Sequence, residues 1–212
     1  MQRLKRLLFK FLMSLAIYSL SVAAFAQNNQ NNQNNQDDQD KDDAVHGHHH
    51  SDIMWINHLD FLAGHPSVVT SFNAVNSGVG SGLSGLIIMS TTIGDTVEGG
   101  NKVVEKGLQV PPGFLITGVR VCYELSNARS FIDQIRLAQL QDPPSKALVL
   151  LDDATHQTNP GPVCIDSTST TVNPALGEVR LNLRVNFGDT SDRIVVRAVG
   201  LHLSRGGKTK DD

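Results

Sequence analysis

Aromatic rings, cysteines, basic charge and long apolar runs are all scarce in this chain, and each scarcity removes a class of protein. Phe, Trp and Tyr together are 5% of 212 residues, with one Trp and two Tyr. So few rings weigh against a glycosidase and against a carbohydrate module of the aromatic-platform type, where rings supply the stacking surface. The most apolar stretch, Phe11 to Val22, is about 12 residues long, whereas crossing a bilayer core as a helix takes about 20. The chain is therefore not expected to span a membrane. No G-x-S-x-G elbow, H-E-x-x-H pair or C-x-x-C pair occurs, so the common nucleophile, zinc-protease and redox signatures are missing.

The apolar stretch has the flanks of an export signal: Arg3, Lys5, Arg6 and Lys10 before or at its start, and Ala24-Phe25-Ala26 after it. Residues 1–26 are read as a signal peptide and the product as exported, to the periplasm or beyond the cell. Without those 26 residues, 14 basic side chains face 21 acidic ones, a net charge of −7. A nucleic-acid partner is excluded on that balance, since the phosphate backbone calls for a basic face.

Residues 27–52 form a second compositional block. Gln27 to Gln36 is Asn and Gln alone, and Asp37 to Asp43 is acidic apart from Gln39 and Lys41. With no apolar group to offset roughly 1–2 kcal/mol of backbone entropy per residue, the block is expected to be a disordered tether. Its end carries His46, His48, His49, His50 and Asp52, a low-complexity histidine cluster whose imidazoles suit Zn, Ni or Cu. These five are the candidate metal ligands. No other cofactor is implied.

The folded domain is expected over residues 53–204, with 205–212 a Gly- and charge-rich tail. Its dominant period is two. From Glu178 to Phe187 the residues Val179, Leu181, Leu183, Val185 and Phe187 alternate with Arg180, Asn182, Arg184 and Asn186, the pattern of a half-buried strand. In Leu115–Leu125 the residues Leu115, Val119, Val121, Tyr123 and Leu125 are assigned to one face, with Arg120, Cys122 and Glu124 on the other. Further strands are expected at Leu86–Thr91, Val103–Val110, Phe131–Leu140, Lys146–Leu151, Val163–Ser167 and Arg193–Leu203, punctuated by Pro-Pro, Asn-Pro, Gly-Pro and Gly-Asp pairs. Such short strands without amphipathic crossovers predict an all-β antiparallel sandwich, jelly-roll-like. Ile53–Leu62 fits a single helix capped by Asp52, with Trp55, Leu59 and Leu62 on one face, or else an edge strand.

Cys122 and Cys164, the only cysteines, both fall in expected strands of an exported chain, which predicts a disulfide joining two strands. Gly80-Ser-Gly-Leu-Ser-Gly85 matches the dinucleotide-loop pattern G-x-G-x-x-G, but a strand-like run follows where a helix N-terminus is needed, so it reads as a loop. Arg120, Arg136, Arg180, Arg184 and Arg197 all lie in expected strands. They are the candidate ligand residues, able to hold an anionic polysaccharide or other cell-surface polymer through guanidinium pairs, or else to pair across strands with Glu124, Asp133, Glu178 and Asp192. The function expected is an exported, non-catalytic binding or surface-structural module. The rivals are a divalent-metal-binding protein working through the histidine cluster, and a hydrolase whose site is not visible in the sequence, which a pocket with converging Asp152, Asp153 and His156 would support.

Overall fold

The computed structural model describes residues 52–73, 85–141 and 146–206. The signal segment, the Asn/Gln/Asp tether, the histidines 46–50, most of the glycine-rich stretch and the C-terminal six residues lie outside them. Among the described residues no helix is long and apolar enough to cross a membrane.

Among the described residues thirteen strands make an all-β, antiparallel, two-layer structure. In chain order they are β1 (Asp52–Ile56), β2 (Leu62–Ala63), β3 (Val68–Asn73), β4 (Gly85–Ser90), β5 (Thr96–Val97), β6 (Gly100–Asn101), β7 (Val103–Leu108), β8 (Phe114–Leu125), β9 (Phe131–Gln141), β10 (Ala147–Asp153), β11 (Val163–Asp166), β12 (Gly177–Asn186) and β13 (Ile194–Arg205). The first layer runs β11-β8-β13-β4-β3, with β1 added to the same side of β13 that β4 uses further along. The second runs β10-β9-β12-β7-β2, and β5 and β6 form a separate small hairpin.

Period-two burial builds the interior as the sequence predicts. Val179, Leu181, Leu183 and Val185 of β12 face Ile132, Ile135 and Leu137 of β9 and, across the gap, Val119, Val121 and Tyr123 of β8 and Val196, Val199 and Leu201 of β13, all at most 1% exposed. Each such aliphatic side chain contributes roughly 1.5–3 kcal/mol on leaving water. Two departures from strict alternation have one cause, the bulge, which adds a residue to one strand and flips the faces beyond it. In β9 the register slips opposite Arg184 and Val185, so Ile132 and Ile135 both point inward. In β8 it slips beside His202 and Leu203, so Ile116, at 0% exposed, takes the inward place assigned to Leu115.

The segment 53–62 is not a helix. Its first half is strand β1, antiparallel to β13, and the 3-10 turn His58–Asp60 follows. Asn57, not Asp52, caps that turn: its side chain accepts from Leu59 N and donates to Asp60 Oδ1. Edge pairing wins over helix here because β13 offers an unpaired backbone edge that a lone ten-residue helix could not match. After the glycine-rich stretch the chain enters strand β4, with no helix to receive a pyrophosphate.

Candidate functional site

The disulfide forms as predicted. Cys122 and Cys164 are directly opposite in the β8–β11 register and bonded, so the link is between neighbouring strands of one layer rather than between layers.

The five arginines do not share a surface. Arg136, Arg180 and Arg184 project from the second layer, Arg120 and Arg197 from the first. Each has carboxylate company. Arg136 donates to Asp152, Arg180 to Glu105 at 2.9 Å and Glu178 at 3.1 Å, and Arg184 pairs with Asp95 and Asp133. Arg197 donates to Glu124 at 2.7 Å, and Asp192 is taken by Arg129. A ladder interleaved this closely with carboxylates presents little net positive potential to a polyanion.

Asp152, Asp153 and His156 do not converge. Consecutive strand residues point to opposite faces, so Asp152 meets Arg136 and Gln134 outside while Asp153 turns inward and accepts from Thr155 N and Thr168 N. Burial pushes the Asp153 carboxyl up, but the hydrogen bond from the Thr155 side chain, with those from the Thr168 and Thr155 backbone, outweighs it and holds it below its ordinary value. His156 goes to Asp133 at 3.0 Å and leans on Phe131. Nor does any group of three or more His, Cys, Asp or Glu side chains among the described residues converge as a metal site. Of the candidate metal ligands only Asp52 is described, at the start of β1 opposite Leu203.

The outer face of the first layer holds an arrangement that the sequence did not reveal. Register pairs Trp55 of β1 with Gly200 of β13, Gly200 with Arg120 of β8, and Arg120 with Asp166 of β11. These four positions form one row across four strands, about 14 Å long at roughly 4.8 Å per strand. Trp55, the chain's only tryptophan, is 55% exposed. Its ring lies against the Gly200 backbone: a Cβ there would sit 3.2 Å from Trp55 Cε3 and 2.6 Å from Ile53 Cγ2. A side chain at 200 would collide with Ile53 and press on the ring, so glycine is what lets both pack close to the β13 backbone.

The far end of the row is polar. Arg120 grips Asp166 with two hydrogen bonds, at 2.7 and 2.6 Å, and His202 Nε2 lies 2.7 Å from Asp166 Oδ1. The Arg120 hydrogen bonds, helped by His202, draw the Asp166 carboxyl down to about 2. A second outward glycine, Gly118, is paired with His202 and leaves the floor beside that cluster low. Further along the same face the disulfide, Pro162 and the Glu124–Arg197 pair line a hollow of about 250 Å³. The surface thus presents one exposed ring, a side-chain-free saddle, and a fixed set of donors and acceptors. That combination suits a flat ligand with an apolar face and a polar rim.

No protein-family model matches the sequence, and no curated protein matches it. Among solved structures the chain is similar to one described for the promiscuous specificity of carbohydrate-binding modules of the β-sandwich superfamily, with 16% identity, a TM-score of 0.44, and 68% of this chain aligned on 57% of that one. It is similar also to the paired binding and catalytic modules of Clostridium thermocellum endo-1,4-β-D-xylanase 10B in complex with xylohexaose, with 11% identity and a TM-score of 0.45, over 72% of this chain and 27% of that one. A third is the C-terminal family 22 carbohydrate-binding module of the same xylanase, with 11% identity and a TM-score of 0.43, over 69% and 88%. The chain spans little more than half of the first and about a quarter of the second. At these values the likeness is one of two-layer β architecture.

Proposed function

We propose that the protein is an exported, non-catalytic module that binds a glycan along the Trp55–Gly200–Arg120–Asp166 row. The observation that carries this reading is the exposed Trp55 ring packed over Gly200, in one row with a bidentate Arg–Asp pair on one sheet face. A pyranose has an apolar C–H face and a rim of hydroxyls. The indole takes the first, and the second exchanges hydrogen bonds with Arg120, Asp166 and His202. Trp and Arg are also the side chains that concentrate binding energy at interfaces.

A glycosidase acid has to hold a proton, and Asp166, drawn down to about 2, stays ionised and does not fill that role. The interleaved carboxylates favour an uncharged polymer over the anionic one expected from the arginines alone. Export accords with the Cys122–Cys164 bond, which persists in oxidising compartments.

Affinity electrophoresis of the full chain against mixed-linkage β-glucan, xylan, galactomannan and polygalacturonate tests the reading. Retardation by a neutral polymer is expected, with Trp55→Ala lowering affinity at least tenfold while leaving the far-UV spectrum unchanged. Binding that persists in Trp55→Ala refutes the site. Retardation by polygalacturonate alone, fading steeply with salt, restores the anionic polymer on the arginine faces.

A further inference from the structure

We infer that a second glycan site sits on the opposite layer, in the groove between β2, β7 and β12, so that one molecule holds two polymer strands. The inference rests on the glycan reading above and extends it to a separate surface. The groove encloses about 390 Å³. Gly64 and Gly107 are among its lining residues, and Gly64 packs tightly on the neighbouring strand, where a Cβ would sit 2.5 Å from Val103 Cγ2.

Its walls alternate in charge. Lys106 Nζ donates to Asp60 Oδ2 at 3.0 Å, and Arg180 lies between Glu105 at 2.9 Å and Glu178 at 3.1 Å. Two cations and three carboxylates leave little field to attract an ion of either sign. A hydroxyl is different, because it donates and accepts at once and can insert into an ion pair without stranding either partner. Vicinal hydroxyls on a sugar ring therefore match a wall of alternating acceptors and donors better than a phosphate or an ammonium does. Leu62, 74% exposed and paired with Glu105, provides the apolar contact that the ring face needs.

The two sites grow from one short segment. Residues 52–56 join the first layer and carry Trp55; the Asn57-capped turn then carries the chain across the edge to β2 in the second layer. Asn57 Nδ2 donates to Asp60 Oδ1, which fixes the carboxylate that Lys106 meets. The Trp55 face and the groove look outward from different layers, so their ligands are separate strands of polymer.

The test is site stoichiometry by calorimetry, with the oligosaccharides xylohexaose, cellohexaose and mannohexaose titrated into the full chain, Trp55→Ala, Arg180→Ala and Glu178→Gln. Arg180 and Glu178 are at least 40% exposed, so these changes are expected to leave the fold intact. The expected result is two equivalents for the native chain and one for each single variant, with at least tenfold weaker binding at the altered site only. One equivalent, lost in Trp55→Ala and untouched by Arg180→Ala and Glu178→Gln, overturns the second site and leaves the first. One equivalent lost only in the groove variants keeps the second and removes the first. No heat with any oligosaccharide overturns both.

Discussion

Lys102 is fully buried, and its ammonium has three acceptors: the carbonyls of Thr92, Ile93 and Gly94, at 2.6, 2.7 and 2.9 Å. Burial lowers its pKa while Asp95 pulls it back up. The ammonium thus holds the segment leading into the β5–β6 hairpin, while the Lys102 backbone links the base of that hairpin to β12, Lys102 N donating to Asp95 O and Val185 N donating to Lys102 O. Lys102→Met keeps the stem and removes the charge. Thr92 O then still accepts from Ser90 Oγ and Gly94 O from Phe187 N, whereas Ile93 O loses the donor that holds it. An acceptor left without its donor costs about 1–3 kcal/mol where water does not replace it, and the two other charge-assisted bonds add to that less than their isolated worth, because desolvating the ammonium is relieved at the same time. The expected loss is about 3 kcal/mol. Lys102→Ala removes three buried methylenes as well, a further ~2.4 kcal/mol at about 0.8 each. Urea denaturation at pH 7 followed by far-UV circular dichroism measures both, with the midpoint falling and the slope unchanged. A Lys102→Met loss below about 1 kcal/mol refutes the reasoning that the ammonium holds this segment, and equal losses in the two variants refute the further contribution of the buried stem.

Replacing Cys122 and Cys164 together by Ser opens a loop of 42 residues, and the chain-entropy estimate places the loss near 4 kcal/mol, readable as a fall in the melting temperature that reductant no longer changes. The Asp166 carboxyl, lowered to about 2 chiefly by Arg120, gives stability that is complete above its unfolded value near 4 and is lost as pH falls toward 2. Melting temperatures from pH 7 to pH 2 are expected to show a steeper acid decline in the native protein than in Asp166→Asn, and parallel declines count against the pairing. Changing His46, His48, His49 and His50 together to Ala in the full chain is expected to abolish calorimetric binding of Zn, Ni and Cu. Retained binding shows that the ligands are elsewhere.

Strands whose two faces differ in polarity were legible because burial itself writes the period. β12 carries Arg and Asn on one side and aliphatics on the other, and its limits agree with the expected ones to within a residue. β3 escaped notice because Val69 and Phe72 are exposed at the sheet edge, so Val68-Val-Thr-Ser-Phe-Asn73 shows no clean alternation. Trp55 was assigned to a helix face because Trp55, Leu59 and Leu62 stand at i, i+4 and i+7, the spacing of two helical turns. Only the edge of β13, some 145 positions later, decides between them. The cysteines were readable from compartment and count alone, yet which strands they join depends on register.

The binding row shows why a site of this kind stays hidden in one sequence. None of its members is unusual where it stands: a glycine in a strand, an arginine beside an aspartate, a tryptophan near the start of a domain. What gives them a chemical role is that three independent registers, β1 on β13, β13 on β8 and β8 on β11, bring them into line, and the middle one contains two bulges that shift the faces by one residue. Bulges respond to how long strands twist and close over the core, a global condition that no local pattern encodes. A sheet face can therefore acquire a ligand surface by a one-residue slip in pairing with no change in composition. The glycine beneath Trp55 is the economical part of that solution, since removing one side chain both admits the ring and clears the saddle next to Arg120.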